Sequence, residues 1–379
     1  MIKARKIRLN PAPEQENYFR KAAGAARFVY NWGLAEWKRR KAEQPDQAYG
    51  VMAVKKKFNA LKAEQFPWVY EAAKDGAEGA FASLAAAFKN YYDSKNGKRQ
   101  GPKAGFPRFK SKKRKRQSFR LNNDKIAVEG HNFYAPKLGR VNMAEPLRLE
   151  GKIMGAAVSQ TAGRWCVSIA VKMNDPEPAS FSKPSAGVDP GVRKLAVLSD
   201  GVEDENQAPL RSELKRLKRL SRRLSRRQVG NSRWCRAKRQ LERFHERIAN
   251  RRADYLYKMT TQIARTYEVI GLEDLNVSGM LKNRRLALSI SDASFGEIRR
   301  QLTCKSRWFG GRVVTIAPCY PSSRRCFDCG ALNTELEPSD RTWTCANCAA
   351  VHERDQNAAR NIEVEALRLV HIHKGRPQG

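Results

Sequence analysis

Acidic residues are scarce in this chain. Only 38 Asp and Glu stand against 74 Lys and Arg, a formal net charge of +36 over 379 residues. An excess this large repels itself and weakens the compact state unless a polyanion neutralises it. Long apolar stretches are missing too. No run reaches 18 apolar residues, and the start of the chain has no short apolar segment of signal-peptide type. These absences exclude a helical membrane protein and a secreted one, so the expectation is a soluble cytoplasmic protein. With a membrane set aside, nucleic acid is the partner to expect, because phosphate neutralisation with counterion release drives tight, salt-sensitive binding.

Apolar residues make up 41% of the chain, enough for real cores. The length fits two or three domains. Residues 2–9 alternate as a strand does. Helical spacing predicts helices over 13–42, 51–63 and 71–95, which together form a small bundle. Glycines and prolines break residues 96–120, and Arg108, Lys110, Lys112, Lys113, Arg114, Lys115, Arg116 and Arg120 crowd the end of that stretch. Short strand-like runs follow at 125–129, 132–135, 147–150, 153–160 and 164–173. They predict a small β-rich domain that the N-terminal strand can join. Residues 174–185 read as a linker.

Beyond the linker the pattern is that of an α/β domain with a mixed sheet. Strands are predicted at 187–189, 194–199, 267–273 and 311–317, and helices at 208–227, 232–265, 292–309 and 355–370. Residues 211–252 hold seventeen Lys and Arg against three Glu. Each of the two helices there has a narrow apolar seam and an otherwise basic surface. That surface suits a sugar-phosphate backbone and carries nothing that would read base edges. Arg222 and Arg226 lie on it.

Four of the eight cysteines are organised. Cys326-Phe-Asp-Cys329 is followed after fifteen residues by Cys345-Ala-Asn-Cys348. Two such knuckles present four thiolates to one ion, a closed tetrahedral zinc shell of structural type. Gly330 suits the tight turn of the first knuckle, and Ala349 stands at the matching place in the second. The pattern fits a reducing compartment. Cys166, Cys235, Cys304 and Cys319 are scattered and read as ordinary small residues.

Phosphodiester chemistry usually needs divalent cations held by carboxylates. Three carboxylates sit where a mixed sheet could gather them. Asp189 ends the apolar run Ala186-Gly187-Val188. Glu273 ends Val269-Ile270-Gly271-Leu272. Asp355 opens the last helix. Taken singly, each could be a turn or cap residue.

These pieces resemble the TnpB family, relatives of the type V CRISPR effectors. The resemblance is carried by Gly187-Val188-Asp189-Pro190-Gly191, Glu273-Asp274-Leu275, Pro321-Ser322-Ser323 before the first knuckle, and His352-Glu353-Arg354-Asp355-Gln356-Asn357-Ala358. Gly105 to Lys110, Lys282-Asn283-Arg284-Arg285 and Ala25 to Asn31 are similar to family segments as well. It implies a multidomain α+β fold. An RNase H-like (RuvC) nuclease domain would span 181–379, with a zinc ribbon inserted at about 318–352. A wedge β-barrel would combine 1–10 and 108–180, interrupted by a helical recognition lobe at 11–107. Asp189, Glu273 and Asp355 would hold two catalytic Mg2+, and the four cysteines one structural Zn2+. Arg108, Lys110, Lys112, Lys113, Arg222, Arg226, Arg284 and Arg285 would touch nucleic acid. The partners implied are an RNA derived from the transposon end, which guides the protein, and target double-stranded DNA beside a short adjacent motif, with one protein chain per RNA.

The function expected is thus an RNA-guided DNA endonuclease. Three alternatives remain: a cleavage-silent RNA-guided repressor, an unguided RuvC-like nuclease, or a transposase. A repressor would have lost an acid, and all three are present. A DDE transposase would run Asp, Asp, Glu, whereas the order here is Asp, Glu, Asp.

Overall fold

The computed structural model describes residues 1–374 apart from 48, 100, 113–116, 176–182, 319 and 338. The chain divides into two compact units, Met1–Asn174 and Asp175–Gly379.

The first unit opens with β1 (Ile2–Asn10). Helices α1 (Pro13–Glu43), α2 (Val51–Gln65) and α3 (Lys74–Lys95) follow, with a 3-10 turn at Pro67–Glu71. Six strands complete it: β2 (Ser118–Asn122), β3 (Ala127–Glu129), β4 (Asn132–Ala135), β5 (Gly139–Met143), β6 (Lys152–Thr161) and β7 (Arg164–Lys172). They form one antiparallel sheet in the order β2-β6-β7-β1-β5-β4-β3. β1 lies near its middle, pairing with β7 over Ile2–Arg8 and with β5 at Leu9 and Asn10. Its alternation explains this: Ile7 and Leu9 are buried while Lys6 and Arg8 face out. One core holds Phe119 and Leu121 of β2 together with Phe133 and Val141 of β4 and β5. The sheet therefore curls around a single interior although β2 and β3 remain edges.

Two strands of this unit lie outside the expected pattern. β2 sits inside the basic stretch, where the density of Arg and Lys hides the alternation of buried Phe119 and Leu121. β5 hides in the same way behind Val141 and Met143. Residues 147–150, expected as a strand, are not one. Pro146 removes a ladder donor just before them, and Leu147 and Leu149 instead pack against the core without pairing.

The second unit begins with β8 (Ser185–Asp189), β9 (Lys194–Leu198) and β10 (Glu203–Glu205). Next come α4 (Pro209–Ser212), α5 (Leu214–Ser225), α6 (Ser232–Thr266) and β11 (Val269–Glu273). Then follow α7 (Val277–Met280), α8 (Ala287–Ala293), α9 (Phe295–Trp308), β12 (Arg312–Ile316), β13 (Thr342–Thr344), β14 (Val351–Glu353) and α10 (Arg354–Lys374). The helix expected over 292–309 is split, because Ser294 adopts a left-handed φ of 57° between α8 and α9. The helix expected over 208–227 likewise breaks at Glu213.

The sheet order is β10-β9-β8-β11-β12. β8, β11 and β12 run parallel, while β9 and β10 are antiparallel additions. The parallel strands β8 and β11 are apolar runs because helices cover the sheet. The α6 and α9 pair is tied by Lys305, buried under the Tyr257 ring. Its Nζ lies 2.7 Å from the Tyr257 carbonyl, 2.8 and 2.9 Å from Thr260 and Thr261 Oγ1, and 3.0 Å from Gln301 Oε1, so three protons are shared among four acceptors. A buried ammonium persists only with its protons satisfied in this way.

Candidate active site and metal centre

The site is built on two glycines. Gly187 of β8 and Gly271 of β11 are direct partners in the parallel ladder. A Cβ on Gly187 would lie 1.9 Å from the Ala359 carbonyl oxygen and 2.5 Å from the Glu363 nitrogen. On Gly271 it would meet Ala366 Cβ and the Ile362 carbonyl oxygen, both at 2.9 Å. The pair forms a notch in the sheet that lets the backbone of α10 come into contact. Alanine at 187 must push α10 off the sheet. Thermal unfolding of Gly187→Ala should show a loss of about 3 kcal/mol; an unchanged midpoint would mean the helix has room to move.

The notch fixes where the acids lie. Val188 pairs with Leu272, so the next residues, Asp189 and Glu273, leave the ends of neighbouring strands on one side. Asp355 stands in the first turn of α10, which packs across both strands. All three residues are partly exposed. The Asp189 carboxyl lies deep among protein atoms, and its pKa is pushed up to about 8 by that burial, then by the charges of Glu273 and Asp355. Arg354 opposes the shift. A carboxyl whose pKa is raised by two neighbouring carboxylates marks a site short of positive charge, which divalent cations fit. Among the described residues, the three do not form a group with every ligand oxygen within 4.8 Å of the others.

The raised pKa of Asp189 makes a cation held there compete with a proton. Mn2+ affinity should therefore rise with pH, by up to about tenfold per unit, with protons released on binding. Calorimetry in two buffers of different ionisation heat measures both quantities; a pH-independent affinity would mean that Asp189 is already ionised.

The acids have neighbours that sequence reasoning did not single out. Ser322 Oγ donates to Glu273 Oε1. Arg354 Nη2 lies 3.2 Å from Asp355 Oδ1, and Arg341 Nη1 lies 3.6 Å from Asp355 Oδ2. Asn357 and Asn361, one turn apart on α10 and both buried, hold the Ser322 loop. Their Nδ2 atoms donate to the Ser322 carbonyl at 3.3 and 2.9 Å and to the Arg325 carbonyl at 2.8 and 2.6 Å. Asn357 Oδ1 accepts from the Phe327 N–H at 3.0 Å. The only sequence signal for this clamp is two amides at i, i+4 on the otherwise apolar inner face of α10.

That loop leads into the first cysteine knuckle. Cys326, Cys329, Cys345 and Cys348 bring their sulfurs within 4.8 Å of one another, with two pairs at 3.6 Å. A tetrahedral zinc with Zn–S of about 2.3 Å implies S···S near 3.8 Å. The set fits one zinc ion. The knuckles match: Gly330 N–H donates to the Cys326 carbonyl and Ala349 N–H to the Cys345 carbonyl, each at 2.9 Å. Gly330 takes φ 75° and Ala349 φ 58°, so Ala349 holds a left-handed turn that favours glycine. The Asn347 side chain and the backbone N–H at Ala331 draw the Cys329 thiol down to about 6, which favours the thiolate.

The described basic residues fall in three places. Arg108 and Lys112 are exposed, and Lys110 lies with Nζ 3.8 Å from the Tyr30 ring centroid. Lys113 lies outside the described residues. Arg284 and Arg285 are exposed between α7 and α8. Arg222 and Arg226 are exposed on the α5–α6 hairpin, whose seam is Leu217, Leu220, Leu241, Phe244 and Ile248. Together with Arg219, Arg223 and Arg227 they line a cleft. A second cleft shares Arg223 and Arg227 and extends to Arg233 and Arg236. No carboxylate lines either.

Three family models match: "Probable transposase" over residues 168–284, "Cas12f1-like, TNB domain" over 295–362, and "Helix-turn-helix domain" over 1–44. Residues 1–44 here hold β1 and the single helix α1. "Putative RNA-guided DNA endonuclease InsQ" of Escherichia coli (strain K12) is 34% identical over 95% of this chain and 91% of its own length. The chain belongs to the TnpB family. A second relative, "Putative RNA-guided DNA endonuclease" of Streptomyces pristinaespiralis, is 32% identical over 96% of this chain and 89% of its own. The multidomain α+β fold resembles that of the protein in a Cas12f1–sgRNA–target DNA complex, with a TM-score of 0.57 and 14% identity over 96% of this chain and 98% of that one. No helix among the described residues is long and apolar enough to cross a membrane.

Proposed function

We propose that this TnpB-family protein is an RNA-guided DNA endonuclease of an insertion sequence, and that its second unit is an RNase H-like nuclease domain of RuvC type with an inserted zinc ribbon. The observation that carries the reading is the convergence of Asp189, Glu273 and Asp355 at the glycine notch. Similarity to relatives named for that activity, extending over the length of the chain, supports it. Two divalent cations held by the three acids would supply the Lewis acidity that activates water and stabilises the leaving oxygen. The chain's own part is geometry. Strand ends fix Asp189 and Glu273, α10 fixes Asp355, and Ser322 orients the Glu273 carboxylate. The four cysteines close a structural site and leave no position for substrate.

The curled sheet of the first unit serves as the wedge, with α1 to α3 as its helical insertion. The partners are a transposon-end RNA that carries the guide and double-stranded target DNA, with one protein chain per RNA. The basic groups, from Arg108 and Lys110 through Lys112 and Lys113 to Arg284 and Arg285, bind backbone while base pairing reads sequence. The arginine clefts of the α5–α6 hairpin are one such surface. Replacing Arg222 and Arg226 with alanine should lower the slope of log affinity against log salt by about 2, one for each lost phosphate contact. A filter-binding series from low to high salt reads that slope, and an unchanged one would take the hairpin out of the interface.

The guiding step is tested by expressing the protein with its native flanking DNA and sequencing the RNA that co-purifies. One dominant RNA ending in a segment that matches DNA outside the element is the expected result. Heterogeneous RNA would leave an unguided nuclease.

A further inference from the structure

His352 has no part in the functions assigned so far. It is buried on β14, opposite Trp343 of β13, with ring centroids 4.8 Å apart. Its Nε2 lies 3.0 Å from Cys326 Sγ and 3.9 Å from Asp328 Oδ2. Four sulfurs already complete a tetrahedron, so a fifth ligand finds no vacant position. A zinc-bound sulfur is a thiolate and can only accept a hydrogen bond, so the ring nitrogen beside it must be the donor.

We propose that His352 supports the ribbon's zinc from outside the ligand set, its Nε2–H donating to the Cys326 thiolate and slowing loss of the ion. The proposal rests on the reading that the four cysteines hold zinc. Its physical basis is charge. Four thiolates on one divalent cation leave an excess of two negative charges. Cys329 and Cys348 are exposed and can share theirs with water, whereas Cys345 is buried and Cys326 fully so. A buried thiolate needs a donor from the protein. Packing against Trp343 holds the ring so that Nε2 meets the sulfur. The placement also matters for the active site. His352 stands three residues before Asp355, so the bond ties the metal centre to the strand that leads directly into α10.

The test uses the full-length protein and two variants. His352→Leu keeps the volume and removes the donor. His352→Gln keeps an N–H within reach of the sulfur. Zinc transfer to a coloured chelator is followed, and Co2+-loaded protein is examined by absorption. His352→Leu should lose about 10- to 100-fold in zinc affinity. His352→Gln should recover most of it, and the cobalt spectrum of the parent should be that of four sulfurs. Unchanged release from His352→Leu overturns the proposal, and so does equal loss in both variants, which would make the role one of packing. A sulfur–nitrogen cobalt spectrum in the parent overturns it by making His352 a ligand. A parent that holds no zinc overturns the ribbon reading itself, a result distinct from the other three.

Discussion

Asp189→Ala should abolish DNA cleavage, a loss of about a thousandfold or more, and leave RNA binding unchanged. The loss follows from where the residue stands. Asp189 stands at the end of β8, beside Glu273 at the end of neighbouring β11, and feels the charges of both Glu273 and Asp355. Removing it leaves only Glu273 and Asp355 to hold the cations that the chemistry needs. Losing several kcal/mol of charge stabilisation in the transition state corresponds to three or more powers of ten in rate. RNA binding survives because the arginine clefts and the exposed basic residues lie on other elements. Two assays decide it: single-turnover cleavage of matched DNA in Mg2+, and RNA affinity at fixed salt. A variant that still cuts places the chemistry elsewhere. A variant that loses RNA as well has lost its fold. Asp189→Asn, close in shape, separates those outcomes, since it should fold and still not cut.

The acids could be noticed in the sequence because each ends or begins an element in a readable way. Two follow apolar runs, and the third opens a periodic segment. The knuckles could be noticed because their spacing is local. What joins them could not. Gly187 and Gly271 look in sequence like weak points in two strands. Their worth appears only when β8 and β11 pair in register and α10 drops into the gap. Ser322 and Glu273 are separated by 49 residues, and Asn361 and the Arg325 carbonyl by 36. Such pairings depend on topology, which local periodicity does not encode. The misread strands have a similar cause. In β2 and β5 the outward residues are basic or small, and only two inward residues in each carry the alternation. Leu147 and Leu149 show the converse, since apolar residues can face a core without joining a ladder.

The second large effect concerns the ribbon. Cys345→Ser, or stripping the metal with a strong chelator, should unfold residues 324–353 and also slow cleavage by about a hundredfold, although no cysteine touches the acids. A structural zinc contributes on the order of 10 kcal/mol to the local fold, far more than the short hairpin of β13 and β14 can supply alone. The knuckle holds the loop carrying Ser322, and the clamp from Asn357 and Asn361 passes that order on to α10. Arg354 N–H donates to the Arg341 carbonyl at 2.8 Å, a bond that spans from the ribbon to the first residue of α10. Once the ribbon melts, Glu273 loses its hydroxyl donor and Asp355 loses the frame of its helix start. Misplacing a reacting group by about 1 Å is enough to cost a hundredfold. Hydrogen exchange distinguishes two couplings. If residues 324–353 lose protection together with the first turn of α10, and cleavage falls, metal centre and active site form one cooperative unit. If the ribbon exchanges freely while α10 stays protected and cleavage is unchanged, the asparagine clamp holds without the metal, and the ribbon serves only its own surface.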